Sequence, residues 1–289
     1  MIEMKIAIVT DSLTNLTQGD LERFPNIHYV YLNVIIDNKS YTDLVEIDND
    51  KLFKAIDEGA KYSTSQPSPQ SFVDLYEKLL KENDYIFSLH ATEKVSGTVN
   101  AARIASEIAD ETKTKISVID MRTASIGVEN TVIQVAEAIE KGKSIEEIVE
   151  LIEYNRHHMS LFLTIDDLGT LVRSGRMTKA KAAIGNLLNI KPIIGFDAEA
   201  KLDVTDKVRT KKKVLKWMVD KLASEVAESG NQVVRITHVN ALDTANELKE
   251  LMTETLGKKV EVHLSNEIGP VMAVHFGRGG FGASWITAK

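Results

Sequence analysis

At 289 residues the chain has room for about two domains of roughly 150 residues each, and a hydrophobic content of 43% is enough to fill a core in both. With 35 basic and 42 acidic residues the net charge is −7, which argues against nucleic acid or anionic lipid as a partner. No cysteine is present, which excludes disulfides, Fe–S clusters, thiolate zinc sites and cysteine nucleophiles and fits a reducing cytoplasm.

The opening MIEMKIAIVTDS lacks a basic stretch followed by an apolar one. No later run approaches the about 18 apolar residues of a membrane span, so a cytoplasmic protein without stable membrane insertion is expected. KIAIVT (5–10) is a short β-branched run stopped at Asp11-Ser12, and IHYVYLNVII (27–36), YIFSL (85–89) and ISVID (116–120) read as further strands. SFVDLYEKLLKE (71–82), TVNAARIASEIAD (98–110) and NTVIQVAEAIEK (130–141) carry the helical period between and after them. This alternation predicts a doubly wound, mainly parallel sheet. Gly142 stops the last of these helices, and Ser144 with Glu147 forms a capping box that opens SIEEIVELIEYNRHH. From Ser160 the pattern changes to SLFLTIDDL, a basic loop VRSGRMT, the helical KAKAAIGNLL (179–188), and a strand pair IKPIIGF and KLDVT. A helix over 206–228, a strand QVVRITHV, a helix from near Asp243 and two closing strands, KVEVHL and PVMAVHF, complete the reading. The expected fold class is α/β in two closely packed domains. Residues 1–158 hold the doubly wound, mainly parallel sheet, and residues 159–289 form an α+β domain with a mixed sheet.

Hydroxyl-rich junctions carry most of the chemical signal. In STSQPSPQSF, Ser63, Thr64, Ser65 and Ser68 precede a helix with Pro69 as first residue and Ser68 as N-cap. In EKVSGTVNAAR, Ser96-Gly97-Thr98 lies where the next helix starts. Helix N-termini offer unpaired N–H groups to a small anion, Gly97 allows close backbone approach, and parallel strands would bring both loops to one side of the sheet. Capping alone also accounts for either loop. His275, read as a strand-end residue, could donate to an anion, and Arg173 and Arg176 in LVRSGRMT suit carboxylate or phosphate. GRGGFG (277–282) fits G-x-G-x-x-G, but the helix, second strand and acidic residue of a dinucleotide site do not follow. A glycine turn is the better reading. No HExxH or histidine–carboxylate cluster occurs among the seven histidines, so no metal is expected.

With these residues in place, the chain resembles the DegV family. TDSLTNL, TSQPSPQSF, VSGTVNAAR, VIDMRTASIG, DDLGTLVRSGRMTKAKAAIGNLLNIKPII and IGPVMAVHFGRGGFG follow one another in the family's order over nearly the whole chain. The resemblance implies a two-domain DegV-like fold holding one long-chain fatty acid between its lobes, without a cofactor. It also implies a non-catalytic subunit that presents the acyl carboxylate to a separate ATP-binding, dihydroxyacetone-kinase-like kinase subunit. By position, Thr64 and Ser96 would hydrogen-bond the fatty-acid carboxylate with help from the backbone at Ser96 and Gly97, and His275 and Arg173 would sit near the head group. The chain departs from the family pattern at Asp120-Met121, at Ser174-Gly175, and at Gly277-Arg278-Gly279, where Gly-Pro-Gly is common.

A buried carboxylate forfeits hydration worth several kcal/mol, and several charged hydrogen bonds of about 1.5–3 kcal/mol each can offset that loss. Affinity would come from the tail, at about 0.8 kcal/mol per buried CH₂. Ala182, Ile184, Leu187, Leu188 and Ile190 are candidate walls, and the basic run Lys207, Arg209, Lys211, Lys212 and Lys213 is a candidate kinase-docking face. Two rival readings use the same residues: a lipid-ester hydrolase with Ser96 as nucleophile and His275 as base, and a lipid sensor with no kinase partner. Asp11 either touches the site or shapes the first turn.

Overall fold

A computed structural model describes residues 4–177, 190–226 and 232–287. Four strands, β1 (Ile6–Asp11), β2 (Ile27–Val30), β6 (Tyr85–His90) and β7 (Ile116–Asp120), form a wholly parallel sheet in the order β2-β1-β6-β7. Both faces of such a sheet must be covered. Ala7, Val9 and Ile86 on one face pack against α3 (Pro69–Leu79) and α4 (Thr98–Ala109). Ile6, Ile8, Phe87 and Leu89 on the other face pack against α5 (Ile126–Glu140) and α6 (Ile145–His158). The α4 residues Ala101, Ala102 and Ala105 are small enough for close approach to the sheet.

A second, six-stranded sheet runs β10-β9-β8-β13-β11-β12, built from β8 (Met159–Thr164), β9 (Lys191–Phe196), β10 (Leu202–Val208), β11 (Gln232–His238), β12 (Val260–Leu264) and β13 (Phe281–Ile286). Only β11 and β12 pair in parallel. α8 (Lys211–Glu225) and α9 (Leu242–Leu256) cover one face through Leu215, Met218, Leu248 and Met252. α5 lies on the other face, against β8, β11 and β13, so this helix is a slab shared by two sheets. That position explains a sequence with no polar stripe over Ile126, Val128, Val132, Ile133, Val135 and Ala136, all buried. The exceptions are Glu129, Asn130 and Thr131, and the first forms a buried polar seam: Glu129 Oε1 accepts from Arg235 Nη1 at 2.9 Å and from Ser265 Oγ at 2.7 Å. Burial pushes the Glu129 carboxyl up to about 7.

A three-stranded antiparallel sheet, β4-β3-β5, comprises β3 (Asn33–Ile36), β4 (Lys39–Thr42) and β5 (Tyr62–Ser65). With α2 (Asn49–Asp57) it packs against α10 (Pro270–Phe276) around Val34, Leu52, Phe53, Met272 and Phe276.

Several expectations need correction. The run 27–36 is not one strand: it breaks at Tyr31-Leu32 into β2 and β3, which belong to different sheets, because the Leu32 N–H bonds Ser12 Oγ. PVMAVHF is helix α10, not a strand. All its residues except His275 are buried, so its hydrophobic pattern carries no period, and Pro270 suits the first helical position. The closing strand is instead β13, where the sequence suggested only a glycine turn. That turn exists, with Gly277 at φ 70° and Gly279 at φ 82° just before β13. The helix expected from 206 starts at Lys211, capped by Thr210, because β10 continues through Val208, so Lys207 and Arg209 lie outside it. The Ser68 cap on α3 and the Ser144–Glu147 capping box on α6 are both present. The expected helix over 179–188 and its residues Ala182, Ile184, Leu187 and Leu188 lie outside the described residues.

Candidate functional site

A cavity of about 310 Å³ opens where the small sheet, α10 and the mixed sheet meet. Its walls are mostly apolar, with Leu13, Leu32, Leu161, Leu163, Ile268 and Met272 among them. Its polar lining comes from a few short segments: Thr64, Ser65 and Gln66, then Ser96 and Gly97, then Arg176 and His275, with Ser125 and Thr237 tied together through Asn15.

The first groups converge. Thr64 sits on β5, held in register opposite Val34, and His275 occupies the last turn of α10. They meet at 2.9 Å, Thr64 Oγ1 to His275 Nε2. Ser96 and Gly97 form the entrance to α4 after β6. His275 Nδ1 is buried without a partner among the described residues. An unmet lone pair costs less than an orphaned N–H, which puts the proton on Nε2, where it is donated to Thr64. Burial, and then the nearby positive charge of Arg176, pull His275 down to about 4, so the ring is neutral at pH 7.

Arg176 is the second electrostatic feature. It lines the cavity, partly buried, and among the described residues donates to two carbonyls, Nη1 to Ser174 O at 2.5 Å and Nε to Val95 O at 3.4 Å. Among the described residues no carboxylate pairs with it. Desolvation lowers its pKa, the mark of a cation held out of water without a counter-charge.

Thus Thr64, Ser96, Gly97 and His275 line one cavity. Arg173 does not: it projects from the outer side of α7 (Leu168–Arg173), donates to Asp167 Oδ2 at 2.8 Å and keeps a side chain 65% exposed. Arg176, beyond the C-terminal end of α7, takes the cavity position. Ile190 is not in the cavity lining. Asp11 is not either; its Oδ2 meets His90 Nδ1 at 2.6 Å and its Oδ1 accepts from the Leu13 N–H, so it ties the ends of β1 and β6 together. Gln66 and Ser65 carried no sequence signal beyond their place in the hydroxyl-rich loop. Ser96 Oγ pairs with Thr98 Oγ1 at 2.8 Å rather than with His275, so a serine–base pair is not formed there. Among the described residues no group of His, Asp and Glu could hold a metal ion, and no helix is long and apolar enough to cross a membrane.

Comparison with known proteins converges on one family. Residues 5–288 match the family model described as "Uncharacterised protein, DegV family". A DegV domain-containing protein of Staphylococcus aureus (strain MRSA252) is 32% identical over 278 residues, 96% of this chain and 97% of the relative. Another, of Caldanaerobacter subterraneus, is 33% identical over 273 residues, 94% of this chain and 95% of the relative. Among solved structures, a DegV family protein from Thermus thermophilus described for its fatty acid binding superposes with a TM-score of 0.92 at 31% identity, covering 99% of this chain and 100% of that one. DegV of Bacillus subtilis, a fatty acid binding protein, gives 0.88 at 28% identity with 99% and 100% coverage. A stearic acid-binding protein from Eubacterium ventriosum gives 0.87 at 25% identity with 98% of each chain covered. Family model, sequence relatives and superposed structures all span the same parallel sheet, mixed sheet and intervening cavity, and the chain belongs to the DegV family.

Proposed function

We propose that the chain binds a long-chain fatty acid, with its carboxylate among Thr64, Ser96, the Gly97 N–H, His275 and Arg176 and its tail in the apolar cavity, and presents that carboxylate to a separate ATP-dependent kinase subunit. The observation that carries the reading is Arg176, a partly buried guanidinium without a counter-ion among the described residues, at the polar lining of an otherwise apolar cavity. A carboxylate would supply the missing negative charge, and Thr64 Oγ1, which accepts from His275 Nε2, turns its own hydroxyl proton toward it. The Gly97 N–H, without a partner among the described residues, adds another donor. Sixteen carbons at roughly 0.8 kcal/mol per buried CH₂ offer a gross gain on the order of 10 kcal/mol, so the tail sets affinity and the head group sets orientation. Fatty acid binding by the Thermus, Bacillus and Eubacterium relatives supports the ligand class.

The proposed division at 158/159 puts Thr64, Ser96 and Gly97 in one domain and Arg176 and His275 in the other, with the ligand between them. In this reading the chain performs no chemistry, because phosphoryl transfer needs a nucleotide and metal supplied by the partner. Native mass spectrometry of the purified chain, followed by lipid extraction, tests the first part: a bound fatty acid is expected, and no uptake of added palmitate would overturn it. Acyl-phosphate formation that requires this chain, ATP and the kinase subunit together tests the second.

A further inference from the structure

At Gly97 the Gln66 carboxamide fills the place a side chain would take. The glycine's φ of −79° and ψ of 2° are open to any residue, yet a β-carbon built there would overlap the Gln66 carboxamide oxygen and lie 2.7 Å from Gln66 Cδ. The Gln66 amide therefore rests against Gly97 at the start of α4. Both residues line the cavity. Gln66 is solvent-exposed as a whole, so its carboxamide stands between bulk water and the head-group donors. It makes no hydrogen bond among the described residues, leaving two N–H donors and an oxygen uncommitted. The loop that carries it is stiff: Ser65 is paired with Asn33, Pro67 restricts the Gln66 backbone to extended conformations, and Ser68 caps α3.

We propose that Gln66 is the head-group cover, a neutral residue that donates to the ligand carboxylate from the solvent side and excludes water from it. This rests on the fatty-acid reading above and assigns a positioning residue to the same site. A donor facing a carboxylate must be uncharged or positive, since a second anion within a few ångströms is unfavourable even at a solvent-exposed edge. Glutamate is nearly isosteric with glutamine and the position is exposed, so Gln66→Glu changes charge without changing fit.

The test compares palmitate with 1-hexadecanol, the same tail with an uncharged head, on wild type, Gln66→Glu and Gln66→Ala, with thermal unfolding of each apo protein as the folding control. Gln66→Glu is expected to weaken palmitate roughly tenfold or more while 1-hexadecanol binds as to wild type. Gln66→Ala should weaken palmitate a few-fold and speed its release, again sparing the alcohol. Wild-type affinity of Gln66→Glu for palmitate overturns the proposal, and so does an equal loss of both lipids in the two variants, which would mark a structural role. A wild type that binds neither lipid overturns the fatty-acid reading itself, and this inference with it.

Discussion

Arg176→Met separates binding from stability in a way a structural arginine could not. Arginine has five N–H donors, and among the described residues two are used, on Ser174 O and Val95 O, so three remain for a ligand. One hydrogen bond to an ionised partner is worth about 1.5–3 kcal/mol, so losing it weakens palmitate by roughly 10- to 150-fold. The apo protein responds differently. Methionine keeps the apolar stem and removes a desolvated, uncompensated charge, so the loss of two carbonyl contacts is largely offset and apo stability should change by no more than about 1 kcal/mol. Urea unfolding with and without palmitate, together with calorimetric titration, reads both quantities. Unchanged palmitate affinity would refute the reasoning, as would an apo destabilisation of about 3 kcal/mol or more, which would mean that the guanidinium is part of the scaffold.

Saturated fatty acids of increasing length should gain about fourfold in affinity per CH₂ and then lose it abruptly once the chain outgrows the cavity; a flat series would remove the tail from the account. His275 is neutral in the native state down to about pH 4, while in the unfolded chain it takes up a proton near 6.5. Between those values the unfolded state holds the extra proton, so stability falls with falling pH. Relative to His275→Gln, wild type should lose on the order of 3 kcal/mol across that window, and a pH-independent difference measured by urea unfolding would contradict it. Arg235→Met leaves Glu129 buried without its partner and should destabilise by about 3–5 kcal/mol. Because burial raises the Glu129 pKa, the native state retains a proton that the unfolded state releases above about 4.5, so the deficit should be larger at about pH 8 than at about pH 5; an equal deficit at both would argue against it.

The parallel sheet was legible because β1, β6 and β7 are β-branched runs ended by turn residues, and the Ser68 and Ser144 caps mark helix starts by their side-chain chemistry. Burial of every residue but His275 hid α10: with apolar residues on nearly every side, PVMAVHF offers no period by which helix and strand differ. β13, FGASWI, is rich in small residues of low strand propensity and is held by its neighbours β8 and β11. β4 and β5, KSYT and YSTS, face solvent on at least one side and lack an apolar alternation, so Thr64 read as part of a loop. In the site, the hydroxyl and glycine pattern pointed to Thr64, Ser96 and Gly97 because such residues mark helix entrances. The choice between Arg173 and Arg176 could not be read from spacing, since it depends on where α7 ends and on Asp167 capturing the earlier arginine.

The helix shared by the two sheets limits how this molecule can be taken apart. A gene fragment ending at residue 158 would present the α5 flank that normally rests on β8, β11 and β13 to water, including Ile126, and would strand the Glu129 carboxylate without Arg235 or Ser265. The complementary fragment would expose the matching sheet face. Either piece alone is a sticky, aggregation-prone polypeptide, so recombination or tagging schemes that treat the residue 158 junction as a clean seam should fail, while insertions at exposed outer loops should be tolerated.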